Sequence, residues 1–115
     1  MSPLFFLQAL EEVAMIAQFS MVPLGAGVSL SDRVSRVLRI VRESGIPYKV
    51  NPMGTVVEGE WDDVMGLIRK CRDELMRDEE RLLISISIDD RKGATGRIEG
   101  KVAAVERRLG TTLNK

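Results

Sequence analysis

Between Asn51 and Glu60 the chain reads Asn-Pro-Met-Gly-Thr-Val-Val-Glu-Gly-Glu, which sets a hydroxyl, two carboxylates and two glycines around an apolar pair. Thr55 can donate or accept a hydrogen bond, and Glu58 carries the negative charge that suits a cationic or amine-bearing ligand. Run as a strand, the segment can bring its polar side chains to one small-molecule pocket, with Gly54 leaving room for close approach. The plain alternative is that Gly54 and Gly59 serve turns while Thr55 and Glu58 face solvent. A second group is Pro23-Leu24-Gly25-Ala26-Gly27-Val28-Ser29, a glycine-bearing loop ahead of a helical pattern. Backbone N–H groups at such a helix start can hold an anion, with Ser29 and Ser31 adding hydroxyls. The lysine and spacing of a nucleotide P-loop are missing, and a capped loop explains the same residues. The third group, Asp89-Asp90-Arg91-Lys92, has the paired carboxylates of a metal or acid–base site. Its own arginine and lysine can neutralise them, so a solvated turn with a local salt bridge is the better reading.

What the chain lacks narrows the chemistry. The 115 residues contain no histidine, which removes the commonest general base and the commonest metal ligand together. A single cysteine, Cys71, excludes an intramolecular disulfide and a thiolate metal cage. It falls in an apolar helical stripe, as a buried inert thiol does. No nucleophile–base pair is apparent, so an enzyme built on Asp89 or Asp90 with Glu58 is the weakest of the functional readings. With 17 basic and 17 acidic residues there is no net field to draw nucleic acid or an anionic membrane, and zero net charge permits self-association. Residues 1–14 carry an apolar run, Pro3 to Leu7, that is too short for a membrane span and lacks the basic start of a secretory signal. They read as an N-terminal extension, with Met15 and Met21 as later starts, or as a short amphipathic helix over a sheet face or a neighbouring subunit. A cytoplasmic location is expected.

These groups must be positioned by elements that the apolar spacing predicts. Ile16 to Val22 alternates as a first strand, with Ala17, Phe19 and Met21 on one side. A helix from about Ser31 carries Val34, Val37, Leu38 and Val41, with Leu30 extending the stripe backwards, and ends at Gly45 and Pro47. Tyr48 to Val50 begins a second strand, and Thr55 to Glu58 forms a third after the turn at Pro52-Met53-Gly54. A second helix aligns Trp61, Val64, Met65, Ile68, Cys71 and Leu75, with Asp62 and Asp63 well placed against its dipole. Leu82 to Ile88 is the clearest strand, with the leucine and isoleucines at 82, 84, 86 and 88 on one face and Leu83, Ser85 and Ser87 on the other. A last helix carries Ile98, Val102, Val105 and Leu109, with Arg107 and Arg108 at its basic end.

The order strand, helix, strand, strand, helix, strand, helix predicts an α+β protein. Two split βαβ units make a ferredoxin-like plait, a four-stranded antiparallel sheet with two crossover helices on one face, here with an additional C-terminal helix. Residues 15–115 are one such domain. The second sheet face is semi-polar rather than charged, so it is either lined for a ligand or packed on another subunit. RNA-binding plaits display stacking aromatics on that face, and the Ile-Ser-Ile-Ser-Ile strand offers none.

Several motifs fall in register: Met21-Val22-Pro23-Leu24-Gly25, Ser29-Leu30-Ser31, Met53-Gly54-Thr55-Val56-Val57-Glu58-Gly59-Glu60 and Ile86-Ser87-Ile88-Asp89-Asp90-Arg91. In these the chain resembles the thiamine-binding protein family of YkoF-like ferredoxin-fold proteins, over about Met15 to Leu109. The resemblance implies a small non-enzymatic protein, a homodimer or homotetramer joined through sheet faces or edges, that binds thiamine or its hydroxymethylpyrimidine moiety. It implies that Thr55 and Glu58, with Gly54, contact the ligand, and that Pro23, Leu24, Gly25 and Ser29 form the pocket around it. No cofactor, metal, nucleic acid or membrane partner is implied. The rival reading is a structural or regulatory oligomer with no vitamin ligand that binds a small anion between subunits.

Overall fold

The computed structural model describes residues 15–25, 30–93 and 96–115, so the expectations for residues 1–14 and for Ser29 lie outside the described residues. Strand β1 spans Met15–Pro23, helix α1 Leu30–Glu43, β2 Tyr48–Asn51, β3 Gly54–Gly59, helix α2 Trp61–Met76, β4 Leu82–Asp90 and helix α3 Arg97–Leu109. The four strands pair antiparallel in the order β2-β3-β1-β4, which is the plait read from the sequence with its added helix. Helix α1 ends where Gly45 turns to a positive φ of 76°. There the Ser44 hydroxyl donates to the Val41 carbonyl at 2.6 Å and accepts from the Ile46 amide at 3.1 Å, which occupies groups the helix end leaves unpaired.

The core lies between the sheet and helices α1 and α2. Met15, Ala17 and Phe19 of β1 and Val57 of β3 meet Val37 and Val41 of α1 and Val64, Leu67, Ile68, Cys71 and Leu75 of α2. Strand period two puts the odd-numbered residues of β1 on this layer, and helical spacing of three and four does the same for α2. The two helices are also joined by charge. Arg36 bonds Glu74 at 3.1 Å and Asp78 at 2.6 Å, and Arg33 pairs with Glu79, itself almost wholly buried. An uncompensated buried carboxylate would cost several kcal/mol, so the Arg33 partner is what permits Glu79 there.

The apolar stripes of the three helices are not buried along their whole length. Leu30 and Val34 at the start of α1, Trp61 at the start of α2, and Val105 and Leu109 late in α3 are all exposed. Each sits toward one end of its helix. The apolar repeat continues there, but the described residues lay nothing over it.

Helix α3 does not join the two crossover helices. Its anchors, Glu58 and Asp89, stand on either side of Ile16 in the sheet register and point to the opposite face from the buried Val57 and Phe19. The C-terminal helix therefore lies across the second face of the sheet. Further along that face Gln18, Val22, Leu83, Ser85 and Ser87 stay exposed, and a shallow depression of about 230 Å³ opens between Gln18, Ser20, Ser85 and Ser87.

Candidate functional site

Gly54, Thr55, Pro23, Leu24 and Gly25 gather at one end of the sheet, whereas Glu58, Asp89 and Asp90 lie toward the other and Ser29 is outside the described residues. In the β1–β3 register Phe19 lies opposite Thr55, so Gly54 is at the level of Ser20, and Pro23 is about 10 Å further along the strand at roughly 3.3 Å per residue. This is the end at which β1 leaves the sheet toward α1. Pro23 is buried, and Leu24 and Gly25 are exposed at the mouth of the loop. The Leu24 amide donates to the Arg81 carbonyl at 3.0 Å, which ties the loop to the segment leading into β4. Gly25 has a φ of 77°, in the left-handed region where a side chain is strained.

Gly54 is required by contact rather than by dihedral angle. A Cβ at this position would stand 2.8 Å from the Phe19 carbonyl oxygen and 3.4 Å from Gln18 Cγ. The missing side chain lets β3 close against β1. Strand alternation puts Thr55 on the helix-covered layer with Val57, opposite Phe19, where it is 6% exposed. Its hydroxyl makes no hydrogen bond among the described residues. No fully enclosed side-chain polar atom there lacks a partner, so this oxygen keeps a narrow contact with solvent. Thr55 is thus a half-wet hydroxyl in an apolar wall, free to bond something that enters.

Glu58 is separated from Thr55. Strand alternation turns residues 55 and 58 to opposite faces, so the expectation that the polar side chains of this segment meet one pocket does not hold in this chain. Glu58 Oε1 accepts the backbone N–H of Arg97 and so occupies a donor at the start of α3. The Arg97 guanidinium, 7% exposed as a residue, donates to the Asp89 carbonyl at 2.6 Å and pairs with the Asp89 carboxylate. Lys101 Nζ adds a bond to the same carboxylate at 3.0 Å. These two cations, with Lys101 foremost, hold the Asp89 carboxyl below its ordinary range. Asp90 faces the other side of the sheet from Asp89, opposite Met15, so the two aspartates form no dyad. The local salt bridge expected from Arg91 and Lys92 is made instead by two residues of α3.

Sequence reasoning gave Arg97 no role. A signal was present: a cation in the first turn of a helix opposes the helix dipole and needs another reason to be there. Cys71 is buried as expected, and burial pushes its thiol up to about 11, so it is no nucleophile near neutral pH. Among the described residues no group of three or more acidic or sulfur side chains could hold a metal ion, and no helix is long and apolar enough to cross a membrane.

A sequence profile described as thiamine-binding protein matches residues 17–106, which takes in both the loop after β1 and the Gly54–Gly59 strand. The chain belongs to the thiamine-binding protein family. Relatives agree. UPF0045 protein Mb1933 of Mycobacterium bovis is 35% identical over 98 residues, covering 84% of this chain and 96% of its own. UPF0045 protein MJ1052 of Methanocaldococcus jannaschii is 31% identical over 90 residues, and its crystal structure superposes with a TM-score of 0.73 over 79% of this chain and 94% of its own. The crystal structure of TM0486 from Thermotoga maritima, described as a candidate thiamine biosynthesis/salvage protein, matches with a TM-score of 0.68 at 25% identity, over 79% of this chain and 97% of its own. The resemblance read from the motifs is thus a family membership, and the plait with its antiparallel sheet is shared with solved relatives.

Proposed function

We propose that this chain is a non-enzymatic binding protein for thiamine or a related hydroxymethylpyrimidine, acting in the cytoplasm in vitamin salvage, sensing or delivery. The observation that carries the reading is the Thr55 hydroxyl, nearly buried in an apolar wall and without a protein partner among the described residues. Burying a hydroxyl without a hydrogen bond costs about 1–3 kcal/mol, and a ligand bearing an amine and ring nitrogens recovers that cost. Gly54, Pro23, Leu24 and Gly25 belong to the same end of the sheet and would shape the pocket; Ser29, outside the described residues, stays an expectation of the resemblance. Glu58, bonded to α3 on the far face, would act on that pocket only through the fold. Family membership supports the ligand class, and the absence of histidine supports a binding role over catalysis.

Self-association through the sheet fits the same molecule. Strand β4 is a nine-residue edge strand with Ile86 and Ile88 partly exposed on one face and Leu83 on the other, a surface that soluble proteins normally cover. The rival reading, an oligomer with no vitamin ligand, rests on this edge and on the uncovered serines. Titration calorimetry with thiamine, thiamine monophosphate and hydroxymethylpyrimidine separates the two. The binding reading expects saturable heat with at least one of them. No heat from any of the three at about millimolar ligand, an affinity floor near 4 kcal/mol, removes it.

A further inference from the structure

Away from Thr55, a groove of about 1320 Å³ runs along α2 beside the end of α1, the Gly45–Pro47 turn and the end of β3 at Glu58 and Gly59. That volume exceeds the roughly 300–1,000 Å³ of small-molecule sites and suits a length of polypeptide. Ile40 and Ile46 contribute to its floor. Glu43, Glu60, Asp62 and Asp63 line it, and none of the four makes a salt bridge among the described residues. Lys70 and Arg77 also line it, with Asp73 and Glu74 beside them and Arg77 paired to Glu74, so carboxylates stay in excess. Gly66 lies in the α2 wall, and a Cβ there would meet nothing within 4 Å. A glycine in mid-helix costs about 0.5–1 kcal/mol relative to alanine, so its presence where the wall is open favours close approach by another backbone.

The same chain displays the complement. The outward side of α3 carries Ala104, Val105, Arg108 and Leu109 at one-turn spacing, with Val105 48% and Leu109 59% exposed, and Arg107 beside them. Arg107 and Arg108 make no salt bridge among the described residues. The start of this helix is held at Glu58, which also lines the groove, yet no residue of α3 itself lines the groove of its own chain. We infer that the acidic groove between α1 and α2 receives the basic, apolar outer face of α3 from a second copy of this chain. Val105 and Leu109 would lie on Ile40 and Ile46, Gly66 would admit the helix, and Arg107 and Arg108 would meet the unpaired carboxylates. The contact is heterologous, since groove and helix are different surfaces, and it is independent of the sheet edge and of any vitamin ligand.

The full-length chain tests this by sedimentation velocity across protein concentration. Association of the wild type weakens as salt rises from about 0.05 to 0.5 M, because the contact pairs exposed charges. Two charge-reversed variants, Asp62→Lys with Asp63→Lys and Arg107→Glu with Arg108→Glu, each associate about tenfold or more weakly, and an equimolar mixture of the two recovers a complex. Gly66→Leu blocks the groove sterically at unchanged charge and weakens association likewise. Circular dichroism establishes that each variant is folded. A wild type that stays monomeric at every concentration, or a mixture that sediments as its separate components, overturns the inference. So does an arginine variant that associates as the wild type does while the aspartate and glycine variants fail, because the occupant of the groove is then not α3.

Discussion

Replacing Thr55 by valine separates what this residue does for the fold from what it does for a ligand. The two side chains have nearly the same shape, so the change exchanges a hydroxyl for a methyl without opening a cavity. In the free protein the hydroxyl has no hydrogen-bond partner among the described residues and is 6% exposed opposite Phe19. An unpartnered buried hydroxyl costs about 1–3 kcal/mol, and the solvent contact that this oxygen keeps puts it near the lower end. Thr55→Val is therefore expected to stabilise the free protein by about 1 kcal/mol, a rise in Tm of about 4–8 °C for a domain of this size. The ligand loses one hydrogen bond worth about 0.5–1.5 kcal/mol, so binding weakens by about two- to tenfold. Scanning calorimetry on the free protein and titration calorimetry with the tightest of the three ligands measure the two effects separately. A variant destabilised by about 1 kcal/mol or more would mean that the hydroxyl is bonded within the protein. A variant that is stabilised yet binds as tightly as the parent would take Thr55 out of the site.

The Gly54→Ala change must push β3 away from the Phe19 carbonyl, 2.8 Å from where the new Cβ would stand, and should cost about 1–3 kcal/mol in urea unfolding; a loss below about 0.5 kcal/mol would show that the strand pair yields freely. Glu74 is held below its ordinary range first by Arg36, Asp89 first by Lys101, and Glu106 first by the Leu113 amide. A carboxylate depressed in the folded state contributes stability above its unfolded value and loses it as pH falls through the folded value. Thermal stability should therefore decline steadily below about pH 4.5, starting from the unfolded values of 4.5 and 3.8 for glutamate and aspartate. A Tm that does not change between about pH 5 and pH 3 would show that these pairs contribute nothing.

The plait was legible because its signals are periodic and mutually consistent. The alternation of Leu82, Ile84, Ile86 and Ile88 and the spacing of Val64, Ile68, Cys71 and Leu75 each allow one kind of element, and chain order then leaves few topologies. Burial was less legible, because periodicity says which side of a helix is apolar and not whether anything covers it. Leu30, Val34, Trp61, Val105 and Leu109 obey the period and remain exposed. Gly54, Thr55 and the Pro23–Gly25 loop do lie at one end of the sheet, because a turn and a loop mark the same edge. Glu58 was placed with them as part of one polar strand segment and by the family resemblance, but residues three apart on a strand face opposite sides. Its partner is the backbone of a residue 39 positions away, which no local pattern encodes.

That separation changes which ligand the pocket should prefer. With Glu58 turned to the far face, the carboxylate that would have met a thiazolium cation is engaged with α3. The Thr55 end of the sheet is also the end at which α1 begins, and the start of a helix carries partial positive charge that favours anions by about 0.3–1 kcal/mol. Asp32 in the first turn of α1 offsets part of that field but points to no net preference for a cation. A neutral hydroxymethylpyrimidine, or a thiamine whose phosphate offsets its ring charge, is therefore expected to bind at least as tightly as free thiamine, by up to about fivefold. Raising the salt should narrow the difference, since the field at a helix end is screened. Free thiamine binding more tightly than both of the others would refute this electrostatic reasoning. It would mean that a carboxylate other than Glu58 faces the ligand, and Asp32 would be the first residue to exchange for asparagine.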